Sequence, residues 1–174
     1  MNWSESFVYD YLCSHSENGS WKFFEVSDES GKTMPQAKFY SQYDYWVAYP
    51  DFELLSSNKP ILLVEVKGYD GYFYNRNNFV GMKLRNFKSY QKVRLAERTD
   101  VRICFVISIN GTNVIYWDTI DKISMFDNYI EEIEYSYYDV YKKLHITKRE
   151  KFIFWDSALF TEGIHGLASI KDEF

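Results

Sequence analysis

Asp51, Glu65 and Lys67 are the residues of this 174-residue chain whose types and spacing could do chemistry. They sit in a stretch that reads Pro50-Asp51-Phe52-Glu53-Leu54-Leu55, then Ser56-Ser57-Asn58-Lys59-Pro60, then Ile61-Leu62-Leu63-Val64-Glu65-Val66-Lys67-Gly68. The middle segment is made of turn residues. Ile61 to Val64 is a β-branched and aliphatic run that predicts a mostly buried strand. A turn centred on Asn58 pairs the flanking strands so that positions 51 and 65 stand opposite each other, with Cβ atoms about 5 Å apart. Side chains alternate along a strand, so Glu65 and Lys67 share one face and Val66 takes the other. Two carboxylates at that separation repel, and burying them is costly without a cation. The stretch therefore predicts a divalent-cation site with an ammonium beside it. A solvated hairpin face is the ordinary reading of Glu-x-Lys, but a solvated strand alternates apolar and polar residues, and Ile-Leu-Leu-Val-Glu-Val does not.

The elements that must position these groups can be read on either side. Ser4 is placed to cap a first helix carrying Phe7, Val8, Tyr11 and Leu12 at helical spacing. Glu5 falls in its first turn, where the helix dipole favours an acid. Asn18-Gly19-Ser20 ends that helix, Trp21 to Val26 reads as a strand and 27–38 as a polar loop. Phe39 to Tyr49 reads as a second strand with Asp44 inside it, so Asp44 is the alternative to Asp51 as the acid paired with Glu65. After Lys67 comes a Gly/Asn/Asp-rich loop with many aromatics, then a helix from about Phe79 to Arg98 with an apolar stripe that includes Phe87, Tyr90 and Val93. Val101 to Ile109 is a strongly apolar strand, Asn110-Gly111 a hairpin turn and Asn113 to Trp117 the next strand. Residues 121–174 read as an α/β or irregular extension, with a strand at Phe152 to Trp155.

Pro50-Asp51 followed by Glu65-Val66-Lys67 resembles the signature of the PD-(D/E)XK, or restriction-endonuclease-like, nuclease superfamily. The likeness is tight over 50–68 and looser over about 1–120. It implies a mixed central β-sheet flanked by helices, an αβββαβ core within one domain spanning 1–174, and a C-terminal extension from about 121. It implies a Mg²⁺-dependent deoxyribonuclease that hydrolyses phosphodiester bonds, of restriction-like, junction-resolving or mobile-element type. Asp51 and Glu65 would hold Mg²⁺, or Mn²⁺ in its place, with the Val66 carbonyl completing the protein ligands. Lys67 would orient or help deprotonate the attacking water, or stabilise charge on the phosphate. The family's first helix often carries a further acid, and Glu5 is the candidate. The family's helical Gln has a counterpart in Gln91, although Leu95 stands where a Tyr is expected one turn later. The alternative function is an inactive nucleic-acid-binding or protein-interaction module on the same fold.

Charge supports a nucleic-acid partner only locally. The chain carries a net charge of −5. Residues 76–102 hold eight Lys or Arg against Glu97 and Asp100, or +6, whereas 118–139 hold seven acids against Lys122, or −6. Lys83, Arg85, Lys88 and Lys92 are the candidate phosphate contacts, and the expected partner is DNA. A homodimer is left open. Three histidines without zinc spacing, no phosphate-binding glycine loop and no nucleophile elbow exclude several other enzyme classes. Cys13 and Cys104 suggest no disulfide framework, and no signal pattern or membrane-spanning stretch is present, so the reading is an intracellular, reducing, cytoplasmic setting. Aromatics at 20 % are read chiefly as core packing.

Overall fold

The computed structural model describes residues 1–16, 19–27, 30, 33–34, 36–69 and 78–170. Its elements run α1 (Trp3–Ser14), β1 (Ser20–Phe23), β2 (Val26–Ser27), β3 (Thr33–Met34), β4 (Ala37–Tyr40), β5 (Tyr45–Ala48), β6 (Phe52–Ser56), β7 (Lys59–Tyr69), β8 (Phe79–Lys83), α2 (Leu84–Glu97), β9 (Val101–Ile109), β10 (Thr112–Thr119), α3 (Ile120–Ile123), β11 (Tyr129–Asp139), β12 (Leu144–Asp156) and β13 (Thr161–Glu162). The fold is mixed α/β and rich in sheet. No helix among the described residues is long and apolar enough to cross a membrane.

The apolar run at 61–64 becomes the spine. β7 lies inside a six-stranded sheet of order β1-β6-β7-β9-β10-β13. It pairs antiparallel with β6 and parallel with β9. A parallel pair needs a crossover, and the segment holding β8 and α2 provides it. Leu62, Val64 and Val66 pack with Val8, Leu12, Trp21 and Cys104 on one side. Leu63 packs with Phe87, Tyr90, Val93, Ile103 and Phe105 on the other. Burial on both faces explains why 61–64 does not alternate.

The β6–β7 connection is tighter than the five-residue turn read from sequence. Only Ser57 and Asn58 turn the chain, both left-handed at φ 50° and 62°. A two-residue turn with φ positive at both positions matches the twist of a hairpin. Lys59 and Pro60 join the strand instead. A register shift between Leu54 and Leu55, opposite Pro60, accommodates the proline's missing donor.

Other expectations are corrected. Asn2, not Ser4, caps α1: its side chain accepts from the Glu5 amide at 2.9 Å, and Ser4 is buried. The expected strand over 39–49 is the β4–β5 hairpin, and its turn holds Asp44 at φ 56°. The expected helix from Phe79 begins only at Leu84, because Phe79 to Lys83 pair in register with β12 and Val80 and Met82 are held in the core. The supposed polar loop at 27–38 contains β3 and the start of β4. The Gly/Asn loop after Lys67 lies outside the described residues at 70–77. Beyond 120 the chain forms a second sheet, β11-β12-β8, in which Phe154 and Trp155 are fully buried. Cys13 and Cys104 are both free thiols.

α1 approaches β7 closely at one point. A Cβ on Gly68 would lie 2.2 Å from Ser4 Oγ and 2.5 Å from Ser4 Cβ. Gly68→Ala is therefore expected to destabilise the fold by about 1–3 kcal/mol in urea denaturation, with Ser4→Gly recovering part of the loss.

Candidate functional site

β6 ends where the site begins. The register pairs Phe52 with Val64, so Asp51 stands across from Glu65 as β7 runs on past its neighbour. Among the described residues, backbone groups of even residues in this part of β7 then have no strand partner on that edge. Asp51 fills the gap: its Oδ2 accepts the Val66 N–H at 2.8 Å. The Leu63 N–H points the other way, to the Asp100 carbonyl at 2.9 Å. N–H and C=O of one strand residue face the same edge, so the Val66 carbonyl is directed to the side of Asp51.

Burial makes this arrangement costly. Asp51 is 3 % exposed and Glu65 2 %. Glu65 Oε1 pairs with Lys67 Nζ at 2.5 Å. Glu65 Oε2 is buried with no hydrogen-bond partner among the described residues. Burial, and then the charge of Glu65, push the Asp51 carboxyl up to about 9, against the Val66 N–H and Lys67, which act to lower it. Burial alone would depress the Lys67 ammonium, but the charge and hydrogen bond of Glu65, helped by Asp51, raise it above its ordinary value. The site is thus two carboxyls that resist ionising together, one ammonium held charged, and one unsatisfied oxygen.

Tyr90 completes the wall. It is 3 % exposed and sits on the inward face of α2, which covers this side of β7. Burial, and then the Glu65 and Asp51 charges, keep its phenol protonated well past the usual range. Its hydroxyl faces Glu65. Spacing places Tyr90 in the apolar stripe, three residues from Phe87 and from Val93, and gives no sign of this polar role. Gln91, which the resemblance singles out, turns away and donates to Ser124 Oγ at 2.9 Å.

The remaining candidates lie apart from this cluster. Glu5 is engaged in the α1 capping box, taking the Asn2 N–H at 2.8 Å and the Asn2 amide at 3.0 Å, although its charge adds to the upward push on Asp51. Asp44 is exposed in the β4–β5 turn and does not pair across from Glu65. The four basic residues do not form one open stripe. Lys83 and Arg85 both reach Glu150, at 3.1 Å and 2.6 Å. Lys92 donates to the Tyr45 hydroxyl and lies 4.7 Å from that ring's centre. Lys88 is exposed. A cleft of about 1080 Å³ lies elsewhere, lined among others by Arg94, Arg98, Arg102, Trp117 and Asp118, and takes in none of the cluster.

The raised Asp51 carboxyl fixes the sign of a pH effect. Unfolded, this group loses its proton near 3.8, and folded it keeps it up to about 9. Unfolding in that window releases a proton, so stability falls as pH rises, by at most about 1.4 kcal/mol per unit. The raised Lys67 group contributes stability that is lost only in more alkaline solution. Asp51→Asn, which keeps an acceptor for Val66, is expected to flatten the slope and to exceed the wild type in stability at pH 8, as read from urea denaturation between pH 5 and pH 8.5.

Comparison of the chain with family models, with curated proteins and with solved structures returned no match.

Proposed function

We propose that this chain is a divalent-metal-dependent endonuclease that hydrolyses DNA, built on a restriction-endonuclease-like core. The observation that carries the reading is the buried Asp51–Glu65 pair with its unpartnered Glu65 Oε2 beside Lys67. The order of elements supports it: α1, then β1, β6 and β7 as neighbouring antiparallel strands, then α2, then β9 parallel to β7. With β2–β5 and β8 set aside, that order is compatible with the helix, three strands, helix, strand core the resemblance implies.

The donor set fits a hard cation such as Mg²⁺, or Mn²⁺ in its place. Asp51, Glu65 and the Val66 carbonyl would hold it, leaving other positions for water and phosphate oxygens. A bound cation supplies Lewis-acid stabilisation of the phosphate and acidifies a coordinated water. The chain's own groups do the rest. Asp51 would have to ionise to serve as a ligand. Lys67, held charged by Glu65, would donate to a phosphate oxygen and offset the charge that builds as water, losing a proton to solvent, adds to phosphorus and the P–O bond to the leaving sugar oxygen breaks, that oxygen taking a proton from solvent. Tyr90 holds the Glu65 carboxylate from behind and keeps bulk water off it.

The decisive experiment incubates the protein with supercoiled, linear, single-stranded and four-way-junction DNA in Mg²⁺, Mn²⁺ or EDTA. Cleavage is expected with either metal and not with EDTA. Lys67→Ala and Glu65→Gln are expected to lower the rate by about 10²–10³-fold or more while the far-UV dichroism is unchanged. Absence of cleavage of every substrate would sink the reading.

Calorimetric titration with Mn²⁺ separates the two acids. Asp51→Asn is expected to abolish binding and Asp44→Asn to leave it near the wild-type value. Binding by the wild type should release close to one proton at pH 7, read from the dependence of the heat on buffer, because Asp51 must ionise to bind.

A further inference from the structure

β11 and β12 stay in register from the Tyr129–Phe154 pair out to the Asp139–Leu144 pair. Only the base of this hairpin is buried, at Phe152 to Trp155, whereas Tyr138, Val140, Tyr141 and Leu144 are exposed. Beyond the Glu132–Lys151 pair the ribbon extends for roughly 24 Å, at about 3.4 Å per residue. Its base is fixed. β12 is bonded to β8, and the β8 residue Gly81 accepts the hydroxyl of Tyr69, two residues past Lys67 on the same strand. Glu150 binds both Lys83 and Arg85 at the start of α2. Burial alone would raise the Glu150 carboxyl, but hydrogen bonds from Lys83 and Tyr135, with the charge of Arg85, hold it below the usual range. The arm therefore leaves the body at a set position next to the strand that carries Glu65.

Charge differs along the arm. Near the base, Arg149 is matched to Glu134 at 3.0 Å. From Tyr135 to Lys148, Lys142, Lys143 and Lys148 stand against Asp139 alone, three minus one or +2 in a chain of −5. Asp139 Oδ1 is occupied by the Tyr141 and Lys142 amides at 2.9 and 3.0 Å. Tyr141 at the tip is 93 % exposed. Ser136 and Thr147 present paired hydroxyls, 2.9 Å apart, on one outer face.

From this we infer that the β11–β12 arm is the DNA-gripping element of the molecule, entering the major groove of duplex DNA with Lys142, Lys143 and Lys148 on phosphates. The inference rests on the nuclease reading and deepens it by naming duplex DNA and its contact surface. The major groove of B-DNA, about 12 Å wide, admits a two-stranded ribbon. The major groove of A-form RNA is too narrow for side chains to read. The ammonium groups match a phosphate partner, and Lys83 and Arg85 at the start of α2 are already engaged in bracing the arm.

The test is fluorescence anisotropy with a labelled 24-base-pair DNA duplex in Ca²⁺, on a Glu65→Gln background that prevents cutting. The triple variant Lys142→Gln, Lys143→Gln, Lys148→Gln is expected to bind at least tenfold more weakly. Its plot of log K against log salt should be shallower by about 0.9 for each phosphate that the variant no longer neutralises. With Glu65 intact, the same triple variant should keep the wild-type melting temperature and Mn²⁺ affinity, since these side chains are exposed. The same duplex made of RNA should bind at least tenfold more weakly than DNA. Unchanged affinity and salt slope in the variant would overturn the inference, as would equal binding of the RNA, or a dimer in light scattering that the variant disrupts. Cleavage of the same duplex in Mg²⁺ is scored separately with the wild type. Binding through the arm without cleavage would remove the nuclease reading and leave the arm in place. Cleavage with arm-independent binding would remove the arm alone.

Discussion

Two carboxyls brought within the reach of each other's charge, in a place with almost no water, form the constraint to which this molecule answers. Asp51 and Glu65 are each nearly inaccessible, and isolated charges in such a setting cost several kcal/mol. The chain provides three partial remedies. The Val66 N–H supports Asp51, the Lys67 ammonium neutralises one Glu65 oxygen, and Asp51 holds its proton. None of these reaches Glu65 Oε2. Among the described residues Glu65 Oε2, at the junction of β6, β7 and α2, stays without a hydrogen-bond partner, although the Tyr90 hydroxyl faces the carboxylate.

The surrounding sheet follows from that requirement. β7 must be central, because only a strand covered on both faces can hide Glu65 while still ending in a half-open Lys67. Its parallel partner β9 demands a crossover, and the crossover puts α2 over the acids, with Tyr90 inward and Gln91 outward. The second sheet then meets the same face through Val80, Met82, Ile153 and Trp155. Glu65 and Lys67 are held by a regular strand and Tyr90 by a helix, whereas Asp51 lies in the bend just before β6 and is fixed by its bond to the Val66 N–H.

Much of this is legible in the residues. Glu65 and Lys67 on a non-alternating apolar run and the Asn110-Gly111 turn follow from strand periodicity and turn chemistry, whereas the turn at Ser57 and Asn58 alone would set position 51 against 64, and it is the register shift between Leu54 and Leu55 that moves it to 65. What fails does so for identifiable reasons. Phe79 to Lys83 continues smoothly into a helical stripe, and nothing local signals that Val80 and Met82 are instead held by β12, far along the chain. Asp44 reads as a strand acid because Tyr, Trp and Val surround it, yet Asp is one of the few residues that tolerate the left-handed turn it occupies. The +6 segment reads as an open surface, but charge counts are blind to partners. Glu150 and Asp121, which engage Lys83, Arg85 and Arg94, lie far along the chain, and the −6 count over 118–139 does not say which bases its acids meet.

The turn at Ser57 and Asn58 has a consequence for how such a chain can change over generations. It is two residues long with both residues left-handed, and together with the register shift between Leu54 and Leu55 it sets Asp51 against Glu65. Strand faces alternate with every residue, and a single insertion there would rotate Asp51 onto the face covered by α1. Length variation is far better tolerated between β1 and β6, where the β2–β3 and β4–β5 hairpins form separate small sheets. Insertions and deletions should therefore accumulate across 24–48 in descendants of this sequence, and the fourteen-residue interval from Asp51 to Glu65 should act as a fixed ruler.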